Sequence, residues 1–334
     1  VLLAALSSAR AVWEASPRQI RELGVPEEQV LAISAHAPRL TAPSPDVERA
    51  WHLGYRVLSC WDGEYPAWLR QMPDPPLILY CRGRVRPEDE RAVAVVGTRR
   101  PTTYGLEVTG RLAGSLARAG LAVVSGLARG IDTCAHRQAL AAGGRTIAVL
   151  GSGLDRVYPA ENRSLCGDIA GRGAVLSEYP PGTTALPHHF PARNRIIAGL
   201  ARGVVVVEAP LQSGALITAD WAERLGRPVM AVPGPVTRRE SAGCNRLIRD
   251  GAHLVEGVED VLCVLGTGAA TPVGPPEMEP RERLVWDLLE QGSSYDRLQA
   301  ACRLGAGELA AVLLSLELKG LVRRLPGQVY VRTW

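Results

Sequence analysis

From Arg91 to about residue 232 the sequence alternates short, unbroken runs of Val, Ile, Leu and Ala with stretches of helix length, and few folds accept that pattern. The apolar runs are Ala92–Val96, Leu121–Val124, Thr146–Leu150, Ala174–Leu176, Val204–Val207 and Val229–Val232. Most lack the in–out alternation of a half-exposed strand, as expected for strands covered on both faces. Helical stretches fall between them at about 105–118, 130–142, 161–171, 192–201 and 214–225. Repeated strand–helix alternation predicts an α/β fold with a doubly wound parallel sheet. Ligands of such sheets bind outside the carboxyl ends of the strands.

The flanks read differently. Residues 1–50 form a small helical module, with turns at Pro17, Gly24-Val25-Pro26 and Pro38 and an apolar face of Leu23, Val30, Leu31 and Ile33. Packing or partner contact suits this module better than a DNA-binding helical hairpin. Residues 51–90 are irregular and aromatic, with Leu77–Tyr80 as a strand. Residues 266–280, rich in Gly and Pro, read as a linker. Residues 281–334 read as helices over about 281–291, 294–302 and 306–318, then a hairpin around Pro326-Gly327. Leu309, Leu313 and Leu316 share one stripe of the third helix, which Gly320 ends. Three helices and a hairpin make a winged helix. Its third helix is nearly free of basic residues, so a protein-contact or dimerisation role fits better than base reading.

Composition narrows the function classes. The 334 residues are 46% hydrophobic and 22% charged, which is ordinary globular usage and excludes a disordered chain. No apolar run reaches the roughly 18 residues of a membrane span. The opening VLLAALSSARAVWEA reads as a helix of a soluble protein rather than a secretory signal, because it lacks a basic n-region; the missing Met reads as a trimmed start. Seven scattered cysteines, none at metal-ligand or redox spacing, point to a reducing cytoplasm and to no structural zinc. The net charge of +4 is too small to prove a nucleic-acid partner. Of the 38 basic residues only Lys319 is a lysine, so any anion site here is built from planar forks that grip phosphate bidentately.

Four strand-end loops carry the candidate chemistry. Gly97-Thr98-Arg99-Arg100 follows the first strand and leads into a helix, whose N-terminus and flanking arginines make a phosphate grip. Neither GxGxxG nor GxxxxGK[ST] is present. Ser125 and Gly126 open the second loop, which also holds Arg129; Gly151 opens the third; Ser213 and Gly214 lie in the fourth. Converging on one sheet edge, they make an extended anion-binding crevice, although backbone geometry alone also explains Gly126, Gly130 and Gly151. The stretch His188–Arg195 sets the sole phenylalanine, Phe190, beside Arg193, Asn194 and Arg195. Single-stranded nucleic acid needs such a π-face with forks for phosphates. A core plug for Phe190, with Arg193 and Arg195 solvating a helix start, is an equal reading. His188 and His189 lack a third metal ligand. Asp132 and His136 suit a structural pair at i, i+4, and Glu208 has no visible partner. No activated nucleophile emerges.

At these loops the chain closely resembles the DNA-processing protein A (DprA, or Smf) family. The matching stretches include VVGTRRPTTYG (95–105), SGLARGIDTCAH (125–136), TIAVLGSGLDRVYPAENRSL (146–165), LSEYPPG (176–182), HHFPARNRIIAGL (188–200), VVVEAPLQSGALITADWAERLGRPVMAVPG (205–234) and GCNRLIRDGA (243–252). The resemblance is dense over about 54–265. It implies an extended Rossmann-like domain over 51–265, a SAM-like helical module over 1–50 and a winged-helix (DML1-like) domain over 281–334 after the 266–280 linker. It further implies a cytoplasmic homodimer that binds single-stranded DNA in natural transformation and loads RecA recombinase onto it, with no cofactor, no membrane and no known catalysis. By motif match, Arg99 stands at the family's phosphate-gripping arginine and Phe190 at a base-contacting aromatic. Arg163 stands where relatives often carry a basic residue. Arg193-Asn194-Arg195 carry the family's RNR element, and Ser213-Gly214 its SG loop.

The rival is an enzyme. Nucleoside-monophosphate phosphoribohydrolases of the lysine-decarboxylase-like group share a similar sheet and a PGGxGTxxE phosphate loop. Here the comparable loop, PLQSGALIT (210–218), lacks the double glycine and the closing glutamate. Without that carboxylate, glycosidic hydrolysis has no evident acid or base.

Overall fold

The computed structural model describes residues 15–36, 43–266, 278–289, 293–302, 304–319, 321–325 and 327–332. The helix expected over the first 14 residues, the turn at Pro38, most of the 266–280 linker, Gly320 and Pro326 lie outside them. The described chain opens with α1 (Pro17–Glu22), α2 (Glu27–His36) and α3 (Pro45–His52). Ser16 and Ser44 begin α1 and α3, each accepting a backbone N–H of the first turn. Ile20 and Val30 are buried, but Leu31, expected on the apolar face, is 60% exposed. Its neighbour Val30 takes the inward position, since adjacent residues of a helix point about 100° apart.

The main body then runs β1 (Arg56–Ser59), α4 (Ala67–Arg70), β2 (Ile78–Gly83), β3 (Val93–Val96), α5 (Thr103–Arg118), β4 (Val123–Ser125), α6 (Ile131–Ala141), β5 (Thr146–Leu150) and α7 (Arg163–Arg172). It continues through β6 (Ala174–Ser177), α8 (His189–Leu200), β7 (Val204–Val206), α9 (Gly214–Arg224), β8 (Val229–Ala231), α10 (Ala242–Arg249), β9 (His253–Leu254) and α11 (Val258–Val264). The nine strands lie in the order β1-β2-β6-β5-β4-β3-β7-β8-β9. From β6 to β9 all neighbours are parallel, and β1 and β2 add an antiparallel edge beside β6. This is a Rossmann-like doubly wound sheet, extended at both margins.

Strand β3 explains why the fold reads so plainly. All four residues are buried. Val93 and Val95 pack with Leu112, Leu116 and Ile131 from α5 and α6. Ala94 and Val96 pack on the other face with Ile196, Ile197 and Ala219 from α8 and α9. A strand between two helical layers must be apolar at every position. The chain steps outward from β3 through β4, β5 and β6, then returns by α8 to lay β7 on β3's opposite side. The winding reverses between β3 and β7, and there the loops part to leave a crevice.

The tail holds α12 (Pro280–Asp287), β10 (Ser293–Ser294), α13 (Tyr295–Cys302), α14 (Ala306–Leu318), β11 (Val322–Leu325) and β12 (Val329–Arg332). Leu309, Leu313 and Leu316 are buried against Val285, Leu289, Leu298 and Tyr330, so the expected stripe is the core of a winged helix. The sole lysine, Lys319, bonds the Glu282 carboxylate at 2.6 Å and ties the end of α14 to α12.

Candidate nucleic-acid interface

Gly97 ends β3 where the backbone must turn beneath α6: a methyl there would stand 2.6 Å from the Ile131 side chain. Gly130, at φ 79°, passes so close that a methyl would meet the Thr98 carbonyl at 2.4 Å. The two glycines press the β3 and β4 loops together, and Arg99 and Arg100 are left exposed on the outside. Beside them opens a crevice of about 760 Å³, walled by the 97–100 loop, the first turns of α8 and α9, and Tyr158.

Phe190 lies in the first turn of α8, half-buried. Its ring rests on Gly151, where a methyl would stand 3.2 Å from Cδ1. The Arg99 guanidinium carbon lies 5.0 Å from the ring centroid. Tyr158, 45% exposed, stands 5.7 Å from the same ring. The phenylalanine is thus part of the crevice wall rather than a core plug. Arginine over an aromatic face is a cation–π pair, and it sets cation and ring side by side at the mouth.

Beneath the crevice the arginine expected in the loop proves internal. Arg193, 4% exposed, donates from Nη1 to the carbonyls of Gly126, at 2.6 Å, and Val149, and from Nε to Asn194 Oδ1 at 3.2 Å. Burial lowers its pKa to about 10, so it remains a cation at neutral pH, supported by the charge of Asp132. Asp132 accepts the Gly126 N–H at 3.1 Å and the Ala128 N–H at 3.3 Å. Burial raises its pKa, and Arg193 opposes that rise.

One turn further along α6, His136 is fully buried with Nδ1 at 2.6 Å from the Thr146 hydroxyl. Burial, then the Arg193 charge, lowers its pKa to about 3. Between pH about 3 and the ordinary histidine range near 6.5, the unfolded chain binds a proton at this position that the folded chain refuses. Its contribution to stability is therefore complete above pH about 6.5 and is lost as pH falls towards 3, by about 1.4 kcal/mol per unit at most. Asp132, its pKa raised, works in the opposite sense. Urea denaturation at pH 7 and pH 5 isolates the imidazole: the loss is expected to be smaller in His136→Gln than in the native sequence.

The other expected site residues divide. Thr98, Arg99, Arg100, Phe190, Arg193, Asn194, Ser213 and Gly214 all border the crevice, as does Gly97. Asn194 is tied down, its Nδ2 donating to the Gly214 carbonyl at 3.1 Å. Gly214 is exposed, and α9 begins facing the opening with Ser213 accepting the Ala215 N–H. Ser125, Gly126, Arg129, Gly151, Arg163 and Arg195 do not line it. Ser125 is wholly buried and donates to the Val95 carbonyl at 2.7 Å. Gly126 lies under Arg193, and Gly151 under Phe190. Arg129 is held by Glu161 at 2.6 Å, and Arg163 is exposed at the start of α7. Arg195 turns away to Glu178, at 2.5 Å, and Asp74, at 3.8 Å. The helix start that was to hold phosphate on α5 is filled from within: Thr102 donates its N–H and hydroxyl to Glu208. Sequence reasoning missed Arg239 and Glu240, which reach the crevice from the loop after β8, and Tyr158. The signal for Arg239 was an arginine pair, Arg238-Arg239, shortly after a strand. Among the described residues, no group of three or more His, Cys, Asp or Glu side chains is placed to hold a metal, and no helix is long and apolar enough to cross a membrane.

Comparison with known proteins gives a consistent set of likenesses. A family profile described as DNA recombination-mediator protein A matches residues 56–266, and one described as the DprA winged helix domain matches residues 269–328. Protein Smf of Synechocystis sp. is 36% identical over 362 residues, covering 96% of this chain and 91% of its own. DNA processing protein DprA of Bacillus subtilis is 43% identical over 209 residues, covering 62% of this chain and 70% of its own. The X-ray structure of DprA from Streptococcus pneumoniae superposes with a TM-score of 0.64 at 41% identity, covering 70% of this chain and 81% of that one. A structure of DprA from Helicobacter pylori, described for its single-stranded DNA binding mode, superposes at 0.58 with 33% identity, covering 64% of this chain and 96% of that one.

Proposed function

Because this chain belongs to the DNA recombination-mediator protein A (DprA/Smf) family, we propose that it binds single-stranded DNA along the crevice between β3 and β7. The observation that carries this reading is the mouth of the crevice, where exposed Arg99 lies over the half-buried Phe190 ring and Tyr158 flanks it. The H. pylori relative, whose single-stranded DNA binding mode has been described, supports it. In this reading Arg99 and Arg100 take phosphates, Phe190 stacks a base, and the start of α9 and Arg239 hold the strand beyond. Arg193 and Asn194 shape the floor, and Ser125, Gly126 and Gly151 lie beneath the lining side chains. The four-part division of the chain at residues 50, 265 and 280 belongs to the same proposal, with the winged helix as a protein-contact module. So do a homodimer, a cytoplasmic setting, delivery of RecA onto the strand during natural transformation, and the absence of a catalytic step.

Nothing at the crevice favours nucleotide hydrolysis. Of its two carboxylates, Asp132 is engaged by two backbone N–H groups, and Glu240 lies on the loop after β8.

Fluorescence anisotropy with labelled single strands and duplexes at several salt concentrations tests the reading. The expected result is preference for single strands of any sequence, with affinity falling as salt rises because counterions are released. Arg99→Ala is expected to weaken every sequence alike and to make the salt slope shallower by about one. Its melting temperature should fall only slightly, since Arg99 is exposed and its pairing with the Phe190 ring is worth about 0.5–1 kcal/mol. An unchanged affinity and slope would remove Arg99 from the site.

A further inference from the structure

The first turn of α5, following β3, is where doubly wound sheets of this winding seat the phosphate of a nucleotide, because backbone N–H groups and the helix dipole point there. In this protein an anion from the chain itself stands there. Glu208, 3% exposed, extends its carboxylate from just past β7 to the start of α5. Oε2 accepts the Thr102 N–H at 2.8 Å, and Oε1 accepts the Thr102 hydroxyl at 2.7 Å. The Glu208 carbonyl accepts the Thr98 N–H at 2.6 Å, which fixes the same turn from its other end. Gly105 completes the fit: a methyl there would stand 2.3 Å from Oε2, so the helix has no side chain where the carboxylate lies. One buried carboxylate is thus matched by a donor pair, a main-chain clamp and a missing side chain.

We propose that Glu208 is a specificity-determining residue, a built-in carboxylate that fills the phosphate seat of α5 and closes it to nucleoside diphosphates and dinucleotides. A second anion entering this turn would meet like charge and would find the Thr102 donors taken. At this turn a polyanion is then met only from outside, by the exposed side chains of Arg99 and Arg100. The proposal goes beyond the assignment of single-stranded DNA to the crevice and does not rest on it, because it concerns which anions the turn refuses.

The test uses the full chain, with ADP and inorganic pyrophosphate as probes. Titration calorimetry measures affinity, and hydrogen exchange reads the peptide spanning residues 97–106. The native protein is expected to show no protection of that peptide by millimolar ADP. Glu208→Ala is expected to gain pyrophosphate affinity by roughly tenfold, the order a helix N-terminus gives a partly buried anion, with protection centred on Thr102. Glu208→Gln keeps the size and loses the charge, so it should gain in the same direction by less; it decides the matter if the alanine variant does not fold. ADP protection of 97–106 in the native chain overturns the proposal, as does the absence of gain in the folded variants. Single-strand affinity is measured separately, and its failure would sink the DNA reading while leaving this one standing.

Discussion

Replacing Arg193 with alanine is expected to lower folding stability by about 3–5 kcal/mol, the range for stripping one member from a buried charged network. The guanidinium is the group on which the carboxyl ends of β4 and β5 converge, through the Gly126 and Val149 carbonyls. Its removal leaves those carbonyls short of a donor, Asn194 without its Nε partner, and the Asp132 carboxylate without the nearby positive charge that favours its ionised form. A loss of that size is a large part of the roughly 5–15 kcal/mol that typically separates folded from unfolded chains. Lysine should rescue little, because a single ammonium cannot reproduce a fork bonded in two directions. Urea denaturation measures the effect. A variant as stable as the native protein would show that the buried network is dispensable. The contrast with Arg99 is the useful part: loss of the inner arginine should lower stability and binding together, and loss of the outer one should lower binding with little change in stability.

Phe190→Ala is expected to weaken single-strand binding by about 1–3 kcal/mol, the value of one base–aromatic stack, which is about 5- to 150-fold in affinity. Stacking releases no counterions, so the salt slope should be preserved while the whole line drops, unlike the Arg99 result. Phe190→Tyr keeps a π-face and should retain most of the affinity. Anisotropy titrations at three salt concentrations separate the two behaviours. If the alanine variant bound as tightly as the native chain, the ring would be only a wall of the crevice.

The parallel strands were legible because burial on both faces leaves no position for a polar residue, and Val93–Val96 is the clearest case. The outermost strand at each margin was not, although Leu77–Tyr80 anticipated β2. Strand β1, half-buried at the edge, and β9, two residues long and exposed, carry no such run. The candidate site was legible as a set of loops and much less so as a set of side chains. Arg193 and Arg195 look equivalent in the sequence, but α8 starts at His189, three residues earlier than its pattern indicates. Two residues apart on a helix is about 200°, so one arginine points under the sheet's end and the other to Glu178. Glu208 had no visible partner because its partner, Thr102, is 106 residues away. Sequence spacing does not report a contact made by folding the switch point together.

The rim of the crevice has one more bearing on how such a surface works. Its aromatic is braced by the protein's own groups: Gly151 against one edge, Tyr158 at a flank and the Arg99 guanidinium 5.0 Å from the ring centroid. A receptor assembled in advance has little configurational freedom left to surrender at capture, so more of each contact's strength appears as affinity. Under the proposed single-strand reading, any stretch of a long polymer that meets this rim finds the same braced ring and cation.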